Sequence, residues 1–261
     1  MSAWLRYILP AFVGIAALAL WEFLVRHYAV EPTVLPAPSA IWDAFAENSA
    51  SLTGSLLVTL EITWTAYAVA LAGGLVLAVL FSQSRTAEMA LYPYAVILQV
   101  TPVVAIAPLI LIWSGLDHAG RAATIIALIV AFFPILSNAT LGLRSTDPGL
   151  KDLFRLYGAS RWQVLWRLQL PSALPYILAG SKIAGGLALV GAVVAEFAAG
   201  SGTSTGLAWR ITEAGFQLQT AKMFAALALL SAVGIANFYA LTFVEWLLLH
   251  RWHESAIKRE A

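Results

Sequence analysis

The chain has 261 residues, of which 61% are hydrophobic and only 11% charged, and its net charge is +1. A soluble domain carries about 25% charged residues, so this composition excludes one and points to a polytopic membrane protein; the small net charge gives no sign of a nucleic-acid partner. There is no cysteine, which excludes disulfides, thiol chemistry and cysteine-based zinc sites. The four histidines (His27, His118, His250 and His253) lie scattered near predicted span ends without ligand spacing, so no metal site is expected.

A helix needs about 20 apolar residues to cross the hydrocarbon core. Six stretches qualify, at about 8–26, 56–81, 87–113, 122–143, 172–198 and 223–249. Lipid offers backbone groups no partners, so spans must be helices or closed barrels. Runs this long, without alternation, predict an all-α protein with six transmembrane helices. The first run follows Arg6, and no small-residue cleavage site leads into a polar domain, so it reads as a retained span.

Lys and Arg divide unevenly between the connecting segments. Arg6, Arg85, Arg144, Lys151, Arg155, Arg161, Arg167, Arg251, Lys258 and Arg259 fall on one side; Arg26, Arg121, Arg210 and Lys222 fall on the other. Positive residues favour the cytoplasm, which predicts that both termini and the segment 144–171 are inside.

The first outer segment, 31–50, begins extended at Pro32, Pro36 and Pro38. Ser39 is then placed to cap a short helix whose Ile41, Trp42 and Phe45 would lie in the membrane interface. The third span contains Pro93, Pro102 and Pro108. Each removes a helical hydrogen bond, predicting a bent or interrupted helix that either lines a pathway or optimises packing. The outer loop 199–221 starts with the glycine-, serine- and threonine-rich run 200–206 and then turns amphipathic, long enough to meet an external partner.

The segment 144–171 is the one long polar, basic interval. Asp147 before Pro148 is a helix start. Leu150, Leu153, Phe154 and Tyr157 follow at i, i+3, i+4 and i+7, on one face. Gly158 is placed to end that helix in a left-handed conformation. Ser160 and Gln163 form a capping box for a second short helix with Trp162, Leu165, Trp166 and Leu168, expected to stop at Leu170-Pro171. Two short helices under the membrane are predicted, either an interfacial pair or a knob that docks into a cytoplasmic partner.

Polar residues inside spans are costly and invite a functional reading. Gln99, Thr101, Pro102, Ser137 and Asn138 cluster near mid-span and near the prolines, as pathway lining or as helix–helix hydrogen-bonding groups. Glu196 lies near the outer end of the fifth span, either at an outer gate or binding-protein contact, or exposed to water. Lys182 is placed to snorkel inward or to meet an anion. Glu22, Glu61 and Glu245 are expected to face water, and Gly185, Gly186 and Gly191 to permit close helix packing.

Segment 144–171 resembles the EAA loop of ABC importer permeases: E-A-A, three residues, Gly, nine residues, an aliphatic residue, one residue, Leu-Pro. Gly158, Leu168, Leu170 and Pro171 fit; Asp152 stands at the acidic position, and Leu153 and Phe154 replace the two alanines. The stretches PVVAIAPLILIWSGL, FFPILSN and LPSALPYILAGSKIAGGLALVGAVVAEF are also similar to the family. The resemblance implies a single permease domain over 1–261 with the type I ABC importer permease fold and a coupling loop at 144–171. It implies a homodimer in a bacterial inner membrane, two ATPase subunits holding ATP and Mg, and a periplasmic or lipid-anchored binding protein. This chain would have no cofactor and no catalytic residue. Leu150, Asp152, Leu153, Phe154, Arg155, Tyr157, Gly158 and Ala159 become the ATPase-coupling set. The branch resembled suggests a small organic anion (sulfonate, taurine or nitrate) or a pyrimidine-type heterocycle as cargo. No G-x-x-x-x-G-K-[ST] phosphate loop occurs in the chain, so an ATP-driven mechanism needs a separate motor. A secondary transporter, which should show paired interrupted helices, and a structural membrane subunit are the rival readings.

Overall fold

In a computed structural model, the described residues are 5–115, 118–199 and 205–250. They are helical almost throughout: α1 (Leu5–His27), α2 (Pro38–Glu47), α3 (Ser49–Gln83), α4 (Arg85–Val100), α5 (Val103–Ser114), α6 (Ala119–Arg144), α7 (Pro148–Leu156), α8 (Arg161–Val164), α9 (Leu170–Ala199), α10 (Leu207–Phe216) and α11 (Thr220–Leu249). Residues 200–204 of the predicted outer loop and the basic tail 251–261 lie outside the described residues.

Among the described residues, five helices are long and apolar enough to cross a membrane: α1, α3, α6, the continuous helix from Arg161 to Ala198, and α11. The predicted third span is not one helix. It is α4 and α5, bent by 101°, of about 24 and 18 Å at 1.5 Å per residue, each too short to cross alone. Counted as one broken span, they make six. The break falls at Pro102, not at Pro93 or Pro108, which sit inside α4 and α5. Thr101 is extended, with φ −66° and ψ 125°, the conformation that the ring of a following proline favours over the helical one.

The chain divides into two compact units, residues 1–57 with 205–231 and residues 58–204 with 232–261. In the first unit, Leu52, Leu207, Ala225 and Ala226 form a buried core. Ile41 and Phe45 of α2 pack against it, so they are core-facing rather than interfacial as expected; Trp42 alone of the three stays exposed. Ser39 does not cap α2. The N-cap is Ala37, which offers no side-chain acceptor. The carboxylate of Glu22 supplies it instead, accepting from the Ser39 amide at 3.0 Å and the Ser39 hydroxyl at 2.9 Å, while Arg26 pairs with the same carboxylate. A helix end left without partners must be met from elsewhere, and here a neighbouring helix does it.

In the second unit, α6 and α9 pack through small side chains. Ala127, Ala131, Ala139, Ala173, Ala184, Ala188 and Ala192 are fully buried. A Cβ on Gly191 would lie 2.7 Å from the Ala127 Cα, and one on Gly180 would lie 2.7 Å from the Asn138 Cβ. Small residues let helix backbones approach when lipid provides no hydrophobic drive. Gly185 likewise leaves no room, facing Leu241 of α11, whereas Gly186 faces open space. The Asn237 side chain adds a 2.9 Å hydrogen bond to the Gly185 carbonyl, and the hydroxyls of Tyr67 and Ser181 pair inside the unit.

Lys182 is not free for an anion. Its ammonium pairs with Glu245 of α11, and each side chain is about three-quarters covered. Two charges that sequence placed separately thus neutralise each other within the spans, the usual arrangement for ionisable groups at that depth.

Candidate functional site

Segment 144–171 belongs wholly to the second unit. Its first helix begins as expected: the Asp147 carboxylate accepts from the amides of Gly149 at 2.6 Å and Leu150 at 3.4 Å, with Pro148 at the first helical position. The helix ends after nine residues. Gly158 has φ +69°; its amide donates to the Arg155 carbonyl at 2.9 Å and the Ala159 amide to the Phe154 carbonyl at 3.0 Å. These two bonds are the paired closure of a left-handed helix stop. A Cβ on Gly158 would meet nothing within 4 Å, so the demand there is on backbone conformation and not on space.

Both halves of the capping box are formed. The Ser160 hydroxyl accepts from the Gln163 amide at 3.3 Å, and the Gln163 side chain accepts from the Ser160 amide at 2.7 Å. The second helix does not stop at Leu170-Pro171. After Arg161–Val164 the chain makes a π-helical turn over Leu165–Gln169 and runs directly into α9. Pro171 has no amide to donate. In the turn just before it, the Leu170 amide donates to the Leu165 carbonyl, five residues back, so the helix carries the proline without breaking. The segment is one free-standing helix, α7, hinged at Gly158 to the base of a span.

The π turn also sorts the apolar residues. Leu165 and Leu168 are buried, and Leu165 joins the cluster of Leu136, Ala139, Leu143 and Ala173. Trp162 and Trp166 point outward. On α7 the predicted stripe divides: Leu150, Leu153 and Tyr157 are exposed, whereas Phe154 is half-buried. Sequence reasoning missed Leu156, which is 85% exposed beside Tyr157 at 84%. Its signal was its place three residues after Leu153, which puts Leu153, Leu156 and Tyr157 on adjoining turns. Asp152 points outward and binds Arg155 at 3.2 Å. Ala159 is half-buried.

The segment is moored at both ends. Arg144 pairs with Glu88 of α4. The Gln169 side chain donates to the Leu143 carbonyl at 3.4 Å and accepts from Gln83 of α3 at 3.4 Å.

The proposed pathway residues are not gathered at one spot. Gln99, Thr101 and Pro102 sit at the α4–α5 break, where Gln99 and Pro102 are exposed and the Thr101 hydroxyl donates to the Ile97 carbonyl at 2.7 Å. Ser137 and Asn138 are half-buried on α6; Asn138 donates to Pro134 of its own helix at 2.8 Å and packs against Gly180. Glu196 is only 2% exposed and accepts from the Thr59 hydroxyl at 2.7 Å, so it is not a water-facing boundary acid.

Residues 70–249 match the family described as binding-protein-dependent transport system inner membrane component. A formylaminopyrimidine transport permease of Halalkalibacterium halodurans is 33% identical, over 92% of this chain and 94% of its own. A riboflavin transport system permease of Chloroflexus aurantiacus is 33% identical, over 91% and 87%. Permeases named for aliphatic sulfonates, taurine and nitrate are 25% to 31% identical. Among solved structures, an amino acid ABC transporter described with histidines has the same fold, with a TM-score of 0.64 and 18% identity over 79% of this chain and 96% of that one. With two-thirds of its length matched and its helices arranged as in type I importers, the chain belongs to the inner membrane components of binding-protein-dependent transport systems, the permease subunits of ABC importers.

Proposed function

We propose that this permease moves a small heterocyclic solute into the cytoplasm by alternating access, with α7 as its coupling helix. The solute arrives on a binding protein, and the energy comes from ATP and Mg on two separate ATPase subunits. Two copies of the chain, each a single permease domain over 1–261, form the pathway in a bacterial inner membrane. Both termini and the loop 144–171 lie in the cytoplasm, the orientation that ten cations against four supports.

The observation that carries this reading is the shape of α7. It is a nine-residue helix capped at both ends that presents Leu153, Leu156 and Tyr157 to solvent. An apolar stripe held outward on a rigid, moored helix suits insertion into a cleft of a partner. Its stiffness lets closure of the ATPase pair pull on α9 and, through the Arg144–Glu88 pair, on α4 and α6. Leu150, Asp152, Arg155 and Ala159 surround the anchors, and Gly158 sets the hinge. The break at Thr101-Pro102 gives the spans non-helical backbone that must line protein or water, which supports Gln99, Thr101 and Pro102 as residues on or next to the route; Ser137, Asn138 and Glu196, on other helices, are assigned to it as polar groups within spans.

The heterocycle is favoured over a small organic anion because the relatives named for formylaminopyrimidine and riboflavin stand at 33% identity, against 25% to 31% for those named for sulfonates, taurine and nitrate. The test is co-purification and uptake with Tyr157→Asp and Leu156→Asp, both at exposed sites that leave the fold alone. We expect loss of the co-purifying ATPase by more than about tenfold, as for truncated interface anchors. Phe154→Asp is a poorer probe, since Phe154 is half-buried in its own chain. Wild-type ATPase recovery and uptake in both variants would remove α7 from coupling. Uptake competed by taurine or nitrate but not by aminopyrimidines would overturn the cargo.

A further inference from the structure

A cavity of about 500 Å³ opens between α7–α8, the last turn of α3 and the π turn before α9, lined by Ser82, Gln83, Lys151, Arg155, Arg161 and Gln169 among others. That volume lies within the range of about 300–1,000 Å³ typical of ligand pockets. We propose that it binds a phosphate-class oxyanion, either the headgroup of an anionic phospholipid or free phosphate.

The chemistry of the lining points one way. Three cations face the cavity, and none of the residues lining it is a carboxylate. Lys151 and Arg155 are one turn apart on α7, so they repel each other unless something negative sits between them. Arg155 shares its guanidinium with Asp152 at 3.2 Å. Lys151 and Arg161 enter no ion pair among the described residues. The neutral polar groups are already engaged with one another: Gln83 donates to Ser82 and to Gln169, Ser82 donates to the Val79 carbonyl, and Gln169 donates to the Leu143 carbonyl. The uncommitted groups are therefore Lys151 and Arg161, which donate and never accept. Arginine forks match phosphate oxygens two at a time.

Position adds a second argument. The cavity lies where α3 ends and α9 begins, next to the ends of two apolar helices, and basic pockets between helices at the cytoplasmic side of a membrane hold anionic headgroups. On α7, Lys151 and Arg155 lie about 120–160° around the helix from Leu153 and Tyr157 at 100° per residue. An anion behind the helix thus leaves the outward stripe free, and would brace α7 against α3 and α9 while the stripe engages its partner. The site stands whether or not α7 couples to an ATPase, because binding is read on this chain alone.

The experiment uses the full-length chain purified in detergent, observed by native mass spectrometry during titration with phosphatidylglycerol or phosphatidylcholine, and by calorimetry with inorganic phosphate. One saturable phosphatidylglycerol per chain is expected, weakened at least tenfold in the double variant Lys151→Gln with Arg161→Gln. Arg167→Gln removes a charge of the same sign from the same segment, one against the double variant's two, but outside the cavity, and should leave binding unchanged. Phosphatidylglycerol binding that inorganic phosphate does not displace assigns the headgroup as the ligand; displacement by phosphate assigns the free oxyanion. Equal retention of phosphatidylglycerol and phosphatidylcholine with no phosphate binding overturns the site. So does an Arg167→Gln variant that loses as much as the double variant, which would show diffuse attraction only.

Discussion

The α6–α9 interface and the α7 segment are built on opposite principles. Where α6 meets α9, nothing local dictates the contact: alanines and glycines let two long helices approach until Gly191 nearly touches the Ala127 backbone. On α7 nearly everything is local. Asp147, Gly158, Ser160 and Gln163 each satisfy backbone groups within a few residues of themselves, and the helix exposes its apolar residues instead of burying them. One region is stable because it is packed; the other is shaped because it is capped. A coupling element needs the second kind of order, since a helix buried in its own chain could not engage another.

Three substitutions would break or sharpen that contrast. Gly180→Val should act most strongly. Its first added carbon would fall 2.7 Å from the Asn138 Cβ and 2.9 Å from the Pro134 carbonyl oxygen, so α6 and α9 must part. Overpacking of this kind costs about 1–3 kcal/mol or more. Thermal unfolding followed by size-exclusion chromatography should show a large loss of folded protein; an unchanged midpoint would mean the interface is looser than its alanines suggest.

Lys182→Ala should come next, at about 2 kcal/mol. It leaves Glu245 uncompensated within the spans, a smaller loss than the roughly 3–5 kcal/mol of a fully buried broken pair because each side chain is about a quarter exposed. The exchange Lys182→Glu with Glu245→Lys should recover most of the midpoint. If the exchange is no better than the single change, the pair is incidental.

Gly158→Ala should have the smallest effect on stability, and the most specific. The position is left-handed, which costs an L-residue roughly 1–2 kcal/mol, but open space surrounds the new carbon. The unfolding midpoint of the bundle should barely move, while uptake falls and ATP hydrolysis by the complex loses its dependence on substrate. A drop in midpoint equal to that of Gly180→Val would erase the distinction between capped and packed regions.

The same contrast explains what could be read in advance. The caps of α7 are written in adjacent letters, so Asp147-Pro148, Gly158 and the Ser160–Gln163 box were legible and stand as expected. Ser39 and Lys182 were not, because their partners, Glu22 and Glu245, lie 17 and 63 residues away and no local pattern connects them. Proline was a half-signal. It announced trouble in the third span without saying which of three would break it, because Pro93 and Pro108 are carried inside helices while Pro102 separates two. At Pro171 it misled, since the preceding π turn keeps the helix unbroken.

Composition and hydropathy by themselves determined that this is an all-helical membrane protein, since lipid leaves so hydrophobic a chain few other choices. Short-range hydrogen bonding determined where its polar segment turns. Tertiary structure alone decided that Phe154 is half-buried while Leu156 and Tyr157 reach outward, that Glu22 and Glu245 find partners on other helices, and that three cations of segment 144–171 converge on one cavity. Those outcomes depend on which surfaces of distant helices meet, and helix packing is set by side-chain shape across a gap that no sequence window spans.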